Sequence, residues 1–475
     1  MTEPMAPPVA ARKPHRVESP HGTRTDEYYW LRDDTRTDPQ VLAYLAAENA
    51  YKDAMLARVR PLEDKLYAEI VGRIKQDDSS VPYRERGYWY YRRFDAGQEY
   101  PVHARRAGSL DSPEEILLDL EQLARGRDFY DVGEYEVSPD DRLLAYAEDT
   151  VGRRQYTLRF KDLASGELLP DVIENVEPAV AWAADSRTVI YIEKDPQTLL
   201  GSRVRKHVLG TDSTVDPLVY EEPDDAFYLD VSRSKDGRHL YIHADSTVSS
   251  EQRFAEAGDP ALEFRVIVPR ERDHEYQAEH FDGRWILRSN WQAPNFRIVE
   301  APLSGVEDRS HWRDLVAHRD DAFLHGFSVF TEFLAIEERS GGLRKVRIRR
   351  WQGGDDFHLA SDEPAYRAAL GDNEEVGSQT VRYTYTSLTT PATTYDYDVR
   401  TGERTLLKQE PVLGGFDPAR YVTEYLWVPA RDGERIPVAI VHLRDYARDG
   451  SAPLLQYGYG SYGLSSDPAF ASAVL

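Results

Sequence analysis

The sequence predicts a mostly β protein: a seven-bladed β-propeller set between a helical opening and the first strands of an α/β unit. Three observations carry this. Between Thr37 and Gln76 apolar residues step at helical spacing. From Pro82 to about residue 410, aromatic and β-branched runs separated by Asp-Gly or Ser-Gly turns recur at intervals of 45 to 55 residues. From Tyr421 that rhythm gives way to two long apolar strands and a glycine-rich segment. The predicted divisions are residues 1–75, 76–410 and 411–475, with the first packing against the third.

In the opening, Val41, Leu42, Leu45, Met55, Leu56 and Val59 recur at helical spacing. Thr37 or Asp38 is placed to cap the helix, and Pro39 suits its first turn, where a missing N–H costs nothing. Arg60-Pro61 ends the run, and a second helix follows through Leu62, Leu66, Ile70 and Ile74.

The repeat is read from strand starts at Tyr88, Leu143, Thr188, His239, Trp285, Phe333 and Val381. Four of them follow turns of one kind: Asp140-Asp141-Arg142, Asp185-Ser186-Arg187, Asp236-Gly237-Arg238 and Asp282-Gly283-Arg284. Second strands with their own turns follow, as in Asp162-Leu163-Ala164-Ser165-Gly166 and Asp398-Val399-Arg400-Thr401-Gly402. A period near this length with several strands per unit points to propeller blades, because one small sheet buries its faces only against its neighbours. An irregular array of β-sandwiches is the competing architecture, and sandwiches lack so regular a spacing.

Beyond the repeats, Tyr421–Val428 and Ile436–Leu443 read as strands joined across Arg431-Asp432-Gly433, and Pro453–Tyr457 as a third, short strand. It runs into Gly458-Tyr459-Gly460-Ser461-Tyr462-Gly463. Ser461 has Tyr459 two positions before it, so it does not complete the Gly-x-Ser-x-Gly elbow of an α/β-hydrolase, and that motif occurs nowhere in the chain. The glycine-rich segment reads either as an oxyanion-hole loop, whose backbone N–H groups face a developing negative charge, or as a plain tight turn.

Composition narrows the chemistry. The 475 residues are 41% hydrophobic and 30% charged, within the range of globular proteins, and the net charge of −24 disfavours nucleic acid and anionic membrane surfaces. With no cysteine, any nucleophile is oxygen or nitrogen, and Cys-ligated zinc and iron–sulfur clusters are excluded. No His-Glu-x-x-His occurs, which removes the common metallohydrolase motif. The first residues carry no apolar run of the signal-peptide kind, so a cytoplasmic protein is expected.

Several stretches then carry a resemblance: Tyr28-Tyr29-Trp30-Leu31-Arg32-Asp33-Asp34, Arg153-Arg154-Gln155-Tyr156, Asn175-Val176-Glu177-Pro178, Asp273-His274-Glu275-Tyr276, Thr389-Thr390-Pro391 and Tyr457–Gly463. Together, from about residue 20 to 470, they resemble the prolyl oligopeptidase family of serine peptidases, and within it the oligopeptidase B group. The resemblance implies cleavage of short peptides after Arg or Lys, with the propeller excluding folded proteins. It assigns the Tyr459 backbone N–H to the oxyanion and places Tyr462 and Asp467 in substrate binding. A second acidic position of that family is Ala469 here, which leaves one carboxylate where two would clamp a guanidinium.

The family's Ser, Asp and His lie downstream of the glycine-rich segment and have no counterpart in this chain, so an inactive, truncated peptidase is expected. The alternative is a non-catalytic propeller that binds peptides or a protein. Short basic peptides are the expected partners, with a complementing downstream polypeptide as an open alternative. No metal or organic cofactor is implied.

Overall fold

The computed structural model describes residues 6–196 and 198–475. The chain divides into two compact units, Met1–Ile74 and Lys75–Leu475. In the first, a hairpin pairs His15–Ser19 with Gly22–Asp26, and helices span Pro39–Leu56 and Arg60–Gly72. Of the two candidate caps Asp38 serves, accepting from the N–H groups of Gln40 and Val41. A turn of 3-10 helix, Ala57–Val59, separates the helices where Arg60-Pro61 ends the first run.

The second unit is built from antiparallel sheets whose strands follow chain order. Each of the seven expected starts lies at the beginning of a strand or one residue inside it. Apolar side chains of successive repeats meet between sheets: Ile190 and Ile192 with Leu229 and Leu240, Phe254 with Trp285, Phe333 with Val381. Each such side chain taken fully out of water contributes ~1.5–3 kcal/mol, so every sheet depends on its neighbours. Where the first sheet meets the last, the ties are polar. Lys408 Nζ lies 2.6 Å from Asp78 Oδ2, and Arg382 donates to the Pro82 carbonyl at 2.7 Å.

The architecture is a β-propeller, but the expectation of seven separate blades is corrected. Among the described residues, five blade-sized sheets stand alone, while the strands between Asp131 and Glu221 form one seven-stranded sheet. Its centre is a single strand, Leu168–Trp182, which pairs on one side with Tyr156–Asp162 and on the other with Thr188–Lys194. The chain bends there instead of turning. Asn175 takes φ +59, a left-handed conformation that Asn tolerates, and the register breaks between Val176 and Val180 around Pro178, which has no N–H to donate.

After the repeats, Tyr421–Pro429 pairs with Arg435–Leu443 along its whole length. The third expected strand is absent. Residues 453–457 have no strand partner among the described residues, and Leu454, Leu455 and Tyr457 are exposed. Apolar content alone does not make a strand, whose N–H and C=O groups need a ladder.

Candidate functional site

Two features of the second unit hold chemistry. The first is the segment from Gly458 to Phe470. Ser461–Gly463 forms one turn of 3-10 helix with Tyr462 at φ +56, closed by the Leu464 N–H on the Ser461 carbonyl at 3.1 Å. The Tyr459 side chain is half exposed, and its backbone N–H has no partner among the described residues. Tyr462 is exposed, and Ser461 Oγ has no hydrogen bond among the described residues, so nothing activates it as a nucleophile.

Asp467 is placed differently from an open substrate carboxylate. Its Oδ1 accepts from Arg339 Nη1 at 2.6 Å, and Arg367 Nε stands 3.8 Å from Oδ2. Both arginines belong to the propeller, on strands Phe333–Ser340 and Tyr366–Leu370. Neighbouring bonds fix the same junction. The Tyr425 hydroxyl donates to the Gly341 carbonyl at 3.0 Å, and the Phe470 N–H donates to Thr386 Oγ1 at 3.1 Å. Gly342 makes the approach feasible: at φ +79, a Cβ there would stand 2.2 Å from the Tyr425 hydroxyl oxygen. Burial, with Arg344 and Arg339 nearby, holds the His325 ring down to about 4. The segment's one carboxylate thus sits in a cationic corner.

The second feature is an acid-lined cavity of about 550 Å³ between the sheet that starts at Tyr228 and the one that starts at Tyr276. Asp230, Asp245, Glu275 and Glu279 line it, with His243 and Arg288. Burial pushes Glu279 up to about 7. Burial, then repulsion from Asp230 and Glu275, pushes Asp245 up to about 6. Ser232 Oγ lies 2.8 Å from His243 Nε2. Arg288 is occupied, donating to the Leu324 carbonyl at 2.7 Å and lying over the Phe296 ring. Four carboxyls therefore face one free space with a single arginine on its wall.

Sequence reasoning singled out Tyr459, Tyr462 and Asp467 and passed over this cavity. The structure brings Asp467 against the propeller, while Tyr459 and Tyr462 stay open to solvent. The missed signal is alternation at period two: Asp230 and Ser232 on one strand, Gln277 and Glu279 on another, point polar groups to the face opposite Leu229, Val231 and Ala278.

Residues 8–410 match the family described as prolyl oligopeptidase, N-terminal beta-propeller domain. The chain is 54% identical to dipeptidyl aminopeptidase BI of Pseudoxanthomonas mexicana, over 98% of this chain and 66% of that protein. It is 32% identical to protease 2 of Moraxella lacunata, over 98% and 67%. Among solved structures, oligopeptidase B from Leishmania major superposes with a TM-score of 0.91 at 30% identity, covering 98% of this chain and 69% of that one. Oligopeptidase B from Trypanosoma brucei, solved in a closed form with covalently bound antipain, gives the same score and identity over 99% and 70%. The chain spans about two thirds of the length of the relatives it matches. No helix among the described residues is long and apolar enough to cross a membrane. With the match running through every propeller repeat, the chain belongs to the prolyl oligopeptidase family and carries its N-terminal β-propeller.

Proposed function

We propose that this chain is the propeller-bearing part of a serine-type oligopeptidase that cleaves short peptides after Arg or Lys. The acid-lined cavity is the observation that carries the basic preference. Asp230, Asp245, Glu275 and Glu279 offer cationic side chains an environment that repels acidic ones. In this reading the nucleophile comes from polypeptide outside these 475 residues, because they contain no Gly-x-Ser-x-Gly and Ser461 has no base. The open Tyr459 N–H is the oxyanion donor, Tyr462 borders the substrate, and Asp467 takes a second basic residue only by exchanging it for Arg339.

A second reading has one observation in its favour. A relative at 54% identity is named a dipeptidyl aminopeptidase, which fits removal of dipeptides from a free N-terminus. One experiment separates the readings. The longest product encoded by the gene, read past codon 475, is assayed on fluorogenic amides with Arg or Ala before the scissile bond, each with a free or blocked N-terminus. Preference for blocked Arg substrates supports the oligopeptidase. Strict need for a free N-terminus supports the second reading, and no hydrolysis at all supports the non-catalytic propeller.

A further inference from the structure

Asp236, His239 and His280 offer one ligand atom each within 4.8 Å of one another. Asp236 sits in the turn before strand His239–Asp245, and His280 comes from strand Tyr276–Phe281 of the next sheet. Both imidazoles are almost fully buried, and their ring centroids are 4.5 Å apart.

Asp236 and His280 are bonded to each other, and His239 brings a ring nitrogen without a partner among the described residues. Asp236 Oδ1 is taken by the turn, accepting from Ser234 Oγ at 2.7 Å and the Arg238 N–H at 3.0 Å. Its Oδ2 faces His280 Nδ1 at 2.5 Å. His239 Nε2 stands 3.4 Å from Glu256 Oε1, while Nδ1 is buried with no partner among the described residues. A second unpartnered donor, Trp285 Nε1, lies on a ring centred 5.8 Å from both imidazoles. A buried nitrogen without a partner costs free energy, so the cluster as it stands is incomplete.

The related turns show that this is not generic turn chemistry. Asp140 and Asp185 occupy the same position as Asp236, but the third residue on is Leu143 and Thr188 instead of His239. At Asp185 the second carboxylate oxygen is already satisfied by Thr188 Oγ1 at 2.7 Å. Among the four related turns, only that of Asp236 places its second carboxylate oxygen on a histidine of the next sheet, with a buried imidazole three residues on.

We infer that Asp236, His239 and His280 bind a structural zinc ion that ties these two sheets together. Two imidazoles and a carboxylate suit Zn²⁺, which would replace the proton between Asp236 Oδ2 and His280 Nδ1; bonds of about 2.0–2.1 Å require that pair to open from 2.5 Å while His239 closes by side-chain rotation. Glu256 holds the far nitrogen of His239, as outer carboxylates commonly orient zinc-bound imidazoles. Water completes the fourth position.

The test uses the 475-residue chain stripped with chelator, refolded with or without zinc chloride, and dialysed. We expect one zinc per chain by elemental analysis, X-ray absorption showing two imidazoles in the first shell, and a higher thermal midpoint with zinc. His239→Phe should abolish the bound equivalent. Glu256→Gln changes a largely exposed side chain, so it keeps the test decisive if the core variant misfolds; it should weaken zinc about tenfold. Failure to retain zinc in the parent chain overturns the site, as does full retention in folded His239→Phe or unchanged affinity in Glu256→Gln.

Discussion

Arg339 Nη1 and Asp467 Oδ1 are 2.6 Å apart, joining the propeller to the segment that follows the glycine-rich turn. Arg339 also donates to the Gly342 carbonyl, so one guanidinium ties both sides of the junction. Both side chains are more than four-fifths buried, which makes the pair stronger than an exposed one. We expect Arg339→Ala to raise backbone amide exchange across residues 464–470 and to cost ~1–3 kcal/mol. Arg367→Ala, whose nitrogen is 3.8 Å away, should do much less. Equal protection in parent and Arg339→Ala would show that Phe470 and Thr386 hold the segment alone. In the complete enzyme, Arg339→Ala should also improve binding of dibasic peptides relative to monobasic ones, because it frees Asp467.

Much of the repeat was legible because strand starts and turn aspartates are local signals. Asp140 and Asp236 each accept from a Ser hydroxyl and a backbone N–H within their own turn. The fused sheet was not legible. Leu168–Trp182 bends at Asn175 and Pro178 without a turn, and counting starts cannot distinguish a bent strand from two strands joined by a loop. Asp467 was legible as an acidic position, but its partner Arg339 lies 128 residues earlier on a propeller strand, where no local pattern reaches.

Gly342 sets up a second prediction. Its φ of +79 is itself unfavourable for alanine, and the new Cβ would also collide with the Tyr425 hydroxyl. Gly402 has a similar φ of +78, but its nearest neighbour is 3.6 Å away. Gly402→Ala should therefore cost only the backbone strain, ~1 kcal/mol, whereas Gly342→Ala should cost more and expose Tyr425. Tyr425 quenching and thermal midpoints of the two variants compare them directly; matching losses would mean that the hairpin moves aside freely.

The cavity predicts a pH dependence. Burial raises the Glu279 carboxyl from 4.5 to about 7, so its protonated form favours the folded chain. That contribution is complete below pH 4.5 and is lost as pH rises through 7. His103 and His274 act in the opposite sense. Burial holds both down to about 4, so their neutral rings favour the fold and stability is lost as pH falls below 6.5. Glu279→Gln, neutral at every pH, should leave the thermal midpoint nearly unchanged at pH 5 and raise it by a few degrees at pH 8, about 1–2 kcal/mol. A destabilised variant at pH 8 would mean that the carboxylate's bonds from Lys235 and Tyr241 outweigh its burial.

The last prediction concerns which part of the chain behaves as an independent folded body. Successive propeller sheets bury one another's apolar faces, and Lys408 and Arg382 join the last sheet to the first through Asp78 and Pro82. Residues 76–410 would keep Arg382, Pro82, Lys408 and Asp78, so the seam survives excision. The remainder has no such closure. Among the described residues, Tyr421–Pro429 and Arg435–Leu443 pair only with each other, leaving an unpaired edge on each strand. Leu426, Trp427, Ile436, Leu454, Leu455 and Tyr457 are exposed beside those edges or just beyond them. Unpaired N–H and C=O groups flanked by apolar side chains favour edge-to-edge association. We therefore expect residues 76–410 to elute as one monodisperse species and melt cooperatively, while residues 1–475 associate with rising concentration. Charged substitutions at Leu454 and Leu455 should reduce that association without moving the melting midpoint of the propeller, because neither side chain is part of its core. If 1–475 is instead monodisperse and unaffected by those substitutions, the hairpin edges are already protected in solution and the apolar segment is not what drives association.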